Sequence, residues 1–288
     1  MPVRSTRRAV SALGLVLLLT SPACDAPSPP VGRFADRSSA VERIEDLTYG
    51  EAVDEHGELE ELQLTMFRPT AHEGPRPAIV FIHSGAFTGG LRSEQDEMAT
   101  AFAERGYVTV TISYRLREGE WIWFDSPSDV VTGAARDARH DAQAAIRWLR
   151  ANAGEYDIDA GHIGAVGYSA GGITAIGLAQ HADDPGDSGN PEQSSKVCIA
   201  VSLSGIAVEG DVESDDAPVL MFHGADDWLV PTRFARETAW KAAVNKKLVD
   251  YVEYPKIGHG LFFQSQKELT PKLVKALRDH LVKAPPCV

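Results

Sequence analysis

Residues 163–180 read IGAVGYSAGGITAIGLAQ, and this stretch decides the fold of the chain. Its first part, residues 163–168, is a short apolar run typical of a strand that is buried on both faces. From residue 170 the pattern becomes helical. Gly167, Gly171 and Gly172 surround Ser169, because larger side chains there would clash with the neighbouring strand and helix. The stretch therefore predicts a strand, a tight turn that presents one serine, and a helix.

The rest of the chain repeats this alternation of strand and helix. Continuous apolar runs occupy residues 78–82, 107–112, 163–168, 197–203, 219–222 and 248–254. Helical patterns occupy residues 94–105, 136–153, 170–181, 232–246 and 266–283. Residues 62–66 alternate between apolar and polar, which is typical of an antiparallel outer strand. We expect an α/β fold with a mostly parallel, doubly wound sheet and helices on both faces.

Two segments interrupt the alternation. Residues 117–133 contain Trp121, Trp123 and Phe124, and residues 183–195 are polar and rich in glycine and proline. The three aromatic side chains would either line a substrate pocket or pin the segment down by packing, and the sequence favours neither.

Composition and charge exclude some classes of function. The chain has 288 residues and a formal net charge of -13. That length suits one α/β domain. An acidic surface repels phosphate backbones and anionic lipid, so we expect no nucleic-acid partner.

The N-terminal residues have the layout of an export signal. Arg4, Arg7 and Arg8 precede an apolar run at residues 9–20, and small residues then lead to Cys24. The run is too short for a transmembrane helix. We predict a signal peptide over residues 1–23, a flexible tether over 24–40 and one folded domain over 41–288.

Cys24 leaves two outcomes open. Ser21-Pro22-Ala23-Cys24 resembles a bacterial lipoprotein cleavage site, although such sites usually carry leucine where Ser21 stands. An acylated Cys24 would attach a periplasmic or outer-surface lipoprotein to the membrane. Ordinary cleavage after Ala23 would instead give a secreted protein.

The other two cysteines, Cys198 and Cys287, would be able to pair outside the cytoplasm. Cys198 lies in an apolar strand pattern, where a buried free thiol is the commoner state. We therefore favour free thiols. The Cα separation that decides whether the two cysteines pair is not available from the sequence.

Ser169 has candidate partners later in the chain. A serine hydroxyl needs a base, and His259 stands between two glycines just after the last predicted strand. An acid is expected after the preceding strand, where Asp226 and Asp227 compete. The order serine, aspartate, histidine is that of α/β-hydrolases, and it points to acyl transfer.

Acyl transfer also requires donors for an oxyanion. The amide of Ala170 follows the nucleophile, and we expect the amides of Gly85 and Ala86 to supply the others from the turn after residues 78–82. We predict no cofactor and no metal, because no cluster of ligating residues has the necessary spacing. Asp137 and Asp141, four residues apart on one predicted helix, are interpreted as a structural or solvated pair.

With these residues in hand, the chain resembles bacterial carboxylesterases related to hormone-sensitive lipase and the small acetyl and feruloyl esterases. His83-Ser84-Gly85-Ala86 resembles their oxyanion motif, and Ser113-Tyr114-Arg115-Leu116 resembles the motif after the next strand. The spacing of His223-Gly224-x-x-Asp227-x-x-Val230-Pro231 resembles their acid loop and selects Asp227 over Asp226. The resemblance covers roughly residues 60–283 and implies an α/β-hydrolase fold that hydrolyses a small carboxylic ester.

The chain departs from the family pattern in two places. Ser84 and Ala86 replace two glycines of the oxyanion motif. The long N-terminal cap of that family has no counterpart in the sequence, so the resemblance implies a minimal cap. Any lid would come from residues 117–133 or 183–195. A serine peptidase of the prolyl-oligopeptidase type and a binding protein that lost catalysis are the alternatives, although no propeller is expected and all three triad members are present.

Overall fold

A computed structural model describes residues 33–71, 73–119, 124 and 129–288. The predicted signal peptide, Cys24, Trp121 and Trp123 lie outside the described residues. None of the helices in the described ranges is long and apolar enough to cross a membrane.

Within the described ranges, eight strands form one sheet in the order β1-β2-β4-β3-β5-β6-β7-β8. The strands are β1 (Val41–Val53), β2 (Leu59–Pro69), β3 (Arg76–Ile82), β4 (Val108–Ile112), β5 (Ile158–Tyr168), β6 (Ala200–Leu203), β7 (Val219–Gly224) and β8 (Leu248–Tyr254). β1 pairs antiparallel with β2, and β2 pairs antiparallel with β4. All the other neighbours are parallel, so β3 to β8 end at the same edge.

Helices cover both faces of this sheet. They are α1 (Asp96–Ala103), α2 (Asp129–Ala151), α3 (Ala170–Gln180), α4 (Thr232–Val244), α5 (Leu261–Gln264) and α6 (Gln266–Leu281), with a 3-10 turn at Arg92–Gln95 before α1. Along β3, Val80 faces a core shared with α2, α3 and α4, whereas Ile79 and Phe81 face a core shared with α1 and α6. Because successive strand residues point to opposite faces, the continuous apolar runs supply both cores at once.

Several element boundaries differ from the sequence prediction. β1 was not predicted, because charged residues at five of its thirteen positions interrupt any apolar pattern, and the strand pairs with β2. α2 begins at Asp129, so part of the predicted interruption at residues 117–133 is helical. The short helix α5 was also missed, since four residues are too few for a periodic pattern.

The predicted flexible tether is wrong at its C-terminal end. Phe34 is buried, and its ring lies 4.9 Å from that of Tyr107. The Phe34 amide donates to Arg105, and the amides of Ser38 and Ser39 donate to Glu104. An apolar ring and satisfied backbone amides fix this part of the segment against the end of α1.

The expectation of free thiols is also wrong. Cys198 and Cys287 form a disulfide, with their Cα atoms 5.2 Å apart. The Cys287 amide donates to the Gly161 carbonyl at 3.1 Å, which brings the C-terminal segment beside the start of β6. That proximity joins residues 89 positions apart in the chain and has no signal in a local apolar pattern.

Candidate active site

The turn between β5 and α3 gives Ser169 an unusual backbone. Its φ and ψ angles are 56° and -117°, a conformation that costs a non-glycine residue roughly 1–3 kcal/mol. The turn is closely packed, since a Cβ on Gly167 would lie 1.9 Å from the Gly171 carbonyl oxygen. A Cβ on Gly171 would lie 2.2 Å from the carbonyl oxygen of Ile82. The flanking glycines are therefore required by close approach, as the sequence predicts.

His259 lies in the loop between β8 and α5, and its side chain reaches Ser169. Its Nε2 atom is 2.8 Å from Ser169 Oγ, and its Nδ1 atom is 2.8 Å from Asp227 Oδ2. The His259 side chain is 17% exposed whereas that of Asp227 is fully buried, so only His259 of these two residues faces solvent. The structure thus brings the three predicted residues into one hydrogen-bonded line.

The structure distinguishes the two competing aspartates. Asp227 is buried, and its Oδ1 accepts hydrogen bonds from the amides of Leu229 at 3.0 Å and Val230 at 2.9 Å. Asp226 is exposed, and its amide donates to the Ile257 carbonyl. A carboxylate that keeps two amide donors and one imidazole is suited to orient that imidazole.

Tyr168, next to Ser169, holds the loop that carries His259. Its hydroxyl donates to the His259 carbonyl oxygen at 2.7 Å, and its ring stacks on the imidazole at 5.5 Å. Burial, together with the charge of Asp227, raises the pKa of Tyr168 to about 12, so the hydroxyl remains a donor. The sequence places Tyr168 in the motif but predicts no role for it.

The loop after β3 carries two of the predicted oxyanion donors. Gly85, Ala86 and Phe87 have φ angles of 117°, 53° and 63°, so three successive residues adopt left-handed backbone. Within the part of the chain that the structure describes, the amides of Gly85 and Ala86 have no hydrogen-bond acceptor. Unpaired amides are rare in buried backbone, and Ala86 is 1% exposed. Such amides are available to an anion.

The peptide between Ser84 and Gly85 is held by the side chains of His83 and Tyr114, for which the sequence predicts no role in the site. His83 Nδ1 lies 2.6 Å from the Ser84 carbonyl oxygen, and the Tyr114 hydroxyl donates to the same oxygen at 3.4 Å and to that of His83 at 3.2 Å. Burial lowers the pKa of His83, which keeps the ring neutral with its proton on Nδ1. Because a trans peptide is planar, holding the Ser84 carbonyl also aims the Gly85 amide in the opposite direction. The resemblance of Ser113-Tyr114-Arg115-Leu116 to a family motif was the sequence signal that could have identified Tyr114 as part of the site.

The remaining site predictions have mixed outcomes. Phe124 is 2% exposed, and its ring lies 6.3 Å from that of Phe87, an arrangement that favours the packing interpretation. Asp141 is fully buried and bonds Arg115 and Ser188, which fits the structural interpretation, whereas Asp137 pairs with Arg117 nearer the surface. Across the described ranges, no three or more His, Cys, Asp or Glu side chains are grouped to hold a metal ion.

Comparison with known proteins places the chain in a family. The family model described as BD-FAE matches residues 64–207, half of the chain. Esterase LipC of Mycobacterium tuberculosis is 26% identical over 229 residues, covering 65% of this chain and 53% of LipC. Carboxylesterase NlhH of the same organism is 27% identical over 179 residues, covering 62% of this chain and 50% of NlhH. The chain therefore spans about half the length of these curated relatives.

Solved structures agree on the fold. The propionate-bound esterase Est2 of Thermogutta terrifontis superposes with a TM-score of 0.66 at 21% identity, covering 85% of this chain and 94% of that one. The predicted α/β-hydrolase fold is confirmed, as is the resemblance to bacterial esterases of the hormone-sensitive-lipase group.

Proposed function

The chain belongs to the BD-FAE family, and on that premise we propose that it is a serine carboxylesterase that hydrolyses small carboxylic esters through an acyl-enzyme. One observation carries the proposal, the continuous hydrogen-bonded line from Ser169 through His259 to Asp227 with both links at 2.8 Å. The similarity to esterases named LipC and NlhH supports the same chemistry.

In the proposed first step, His259 Nε2 accepts the Ser169 proton as Oγ attacks the ester carbonyl carbon. Asp227 holds the Nδ1–H tautomer and stabilises the imidazolium that forms. The carbonyl electrons collapse back from the tetrahedral intermediate and expel the alkoxide, which takes the proton from Nε2. Water then repeats the sequence on the acyl-enzyme and releases the acid.

The negative oxygen of the intermediate would be held by the amides of Gly85, Ala86 and Ala170. The two unpaired amides in the loop after β3 support this assignment. Ala170 is the first residue of α3, so its amide also lies at the positive end of that helix. Loss of one such donor typically lowers the rate by about 100- to 1,000-fold. This chemistry requires no metal or cofactor.

The test is hydrolysis of nitrophenyl esters of increasing acyl length, beside acetylated xylan, feruloyl esters and a proline-containing peptide. We expect turnover that Ser169→Ala lowers at least about 10,000-fold. Ser202→Ala is the matched control, because Ser202 is equally buried on the neighbouring strand β6. Retained activity in Ser169→Ala would contradict the mechanism, and a preference for the peptide would favour a peptidase.

We further propose that the protein is exported and that Cys24 is acylated, which would anchor it to a membrane. The basic and apolar pattern of residues 4–20 and the Ser-Pro-Ala-Cys stretch support this proposal. The Cys198–Cys287 disulfide independently supports export, because such bonds persist mainly in oxidising compartments. Labelling of the wild type with a fatty-acid analogue, absent in Cys24→Ser, is the expected result. An unlabelled wild type found in the medium would indicate ordinary secretion.

A further inference from the structure

His223 is a second histidine beside the candidate active site, and the mechanism above does not use it. It is the penultimate residue of β7 and lies four positions before Asp227. Its side chain is fully buried, so it cannot touch a substrate. Whatever it contributes must act through the residues that it contacts.

Two contacts define the state of the His223 ring. Nε2 lies 2.9 Å from the Val230 carbonyl oxygen and 3.5 Å from Asp227 Oδ2. Both neighbours are acceptors, so Nε2 carries the proton. Nδ1 is buried and has no partner among the described residues. Burial lowers the pKa of His223, with smaller opposing contributions from Asp227 and Glu253, which favours the neutral ring.

Val230 connects this histidine to the acid. Its carbonyl accepts from His223, while its amide donates to Asp227 Oδ1 at 2.9 Å. The turn from residue 227 to residue 230 is therefore held by His223, a residue of β7, through Val230. The same Val230 also donates to the Asp227 carboxylate. The other carboxylate oxygen, Oδ2, is the one that binds His259 Nδ1.

We propose that His223 is a positioning residue that acts through Asp227. By holding Val230, it fixes the turn so that Oδ1 keeps its two amide donors and Oδ2 faces the imidazole of His259. This inference rests on the proposed esterase function, and it adds a named role for a residue that touches neither substrate nor nucleophile.

Two amide substitutions separate this role from simple packing. In His223→Gln the side-chain amide nitrogen falls at the position of Nε2, whereas in His223→Asn it falls at that of Nδ1. Both side chains are polar and neutral. We expect His223→Gln to keep kcat within about 3-fold of the wild type. We expect His223→Asn to lower kcat by up to about 100-fold with little change in KM, because the turn is misplaced while the substrate site is intact.

A double-mutant cycle tests the route of the effect. If His223 acts through Asp227, adding His223→Asn to Asp227→Asn should change kcat by less than about 2-fold. His162→Asn is the control, because His162 bonds Asp159 at 2.7 Å at the opposite edge of the sheet and should leave kcat unchanged. Thermal midpoints of all variants show which of them are folded.

The outcomes are distinguishable from failure of the proposed function. Equal losses in folded His223→Asn and His223→Gln, or additive losses in the cycle, would overturn the positioning role while Ser169→Ala still abolished activity. Should His223→Asn fail to fold, a loss of about 100-fold in folded His223→Gln would also overturn it. Activity retained in Ser169→Ala would instead remove the esterase proposal itself.

Discussion

The Ser84 carbonyl is the clearest case in which one atom of the loop after β3 is held by residues distant in the chain. Tyr114, at the end of β4, reaches it from 30 residues away, and the ring of Tyr114 stacks on His83 at 4.2 Å. A Cβ on Gly90 would lie 2.2 Å from the same oxygen, so the loop also closes tightly over it. The orientation of the Gly85 amide therefore depends on contacts that a motif does not contain.

Tyr114→Phe should lower kcat by about 10-fold with KM unchanged, because the change loosens an oxyanion donor without removing it. The ring and its stacking on His83 remain. The measurement is steady-state hydrolysis of a short-chain nitrophenyl ester by the purified variant.

Tyr49→Phe is the matched control for this prediction. Tyr49 is as buried as Tyr114, and its hydroxyl donates to the Ser113 carbonyl oxygen at 2.5 Å. Each substitution should cost about 1 kcal/mol of stability, since each removes one hydrogen bond. Equal kcat in the two variants would show that the Tyr114 hydroxyl does not serve the oxyanion loop.

At the scale of elements, α2 anchors the irregular segment between α3 and β6. Arg139 pairs with Asp184, Gln143 donates to the carbonyls of His181 and Asp184, Arg147 donates to Gly189, and Arg150 donates to Ser194 and Lys196. These four α2 residues recur at helical spacing, so one face of the helix binds the segment along its length. Residues 183–195 are therefore held against α2 by side-chain hydrogen bonds.

The Arg139–Asp184 pair predicts a pH dependence of stability. Partial burial acts to raise the pKa of Asp184, but hydrogen bonds from Arg139 and the Gly186 amide outweigh it and lower the pKa to about 2. An unfolded aspartate has a pKa of about 3.9. The stabilisation is thus complete above about pH 4 and disappears as the pH falls through about 2.

Asp184→Asn should lower the thermal midpoint by about 2–4 °C at pH 7, since a half-exposed pair contributes about 1 kcal/mol or less. The difference from the wild type should shrink as the pH falls below about 4. Asp183→Asn is the matched control, because among the described residues the Asp183 side chain has no ion pair, and this substitution should leave the thermal midpoint at pH 7 nearly unchanged. A constant difference at every pH would contradict an electrostatic origin.

The elements that the sequence predicts are those whose signal is local. β8 runs from Leu248 to Tyr254 as expected, and α3 begins at Ala170, because apolar period and flanking glycines act within a few residues. β1 depends on pairing with β2 and on packing Tyr49 and Ala52 into the core, so a local apolar period does not reveal it. For the same reason the positions of Ser169, Asp227 and His259 at strand ends were predictable, whereas the bonds of Tyr114 and His223 were not.

At the scale of the whole molecule, the candidate triad and the disulfide lie at opposite edges of the parallel sheet. Tyr168, Gly224 and Tyr254 end β5, β7 and β8 at one edge, where the candidate triad lies. The disulfide lies at the opposite edge, since Cys198 precedes β6 and its amide donates to Ile163. A change at the disulfide should therefore alter stability without altering the active-site geometry.

Cys287→Ser is the substitution that tests this separation, because Cys287 is partly exposed whereas Cys198 is buried. The bond closes a loop spanning 89 positions, and its loss should destabilise the folded chain by about 4 kcal/mol. For a domain of this size the thermal midpoint should fall by about 10 °C. Calorimetry should show the same fall when the wild type is reduced and no further fall when the variant is reduced.

At 25 °C kcat and KM should stay within about 2-fold of the wild type, because the edge that carries Ser169 keeps all its contacts. A folded variant that lost activity at 25 °C would show that the two edges are coupled.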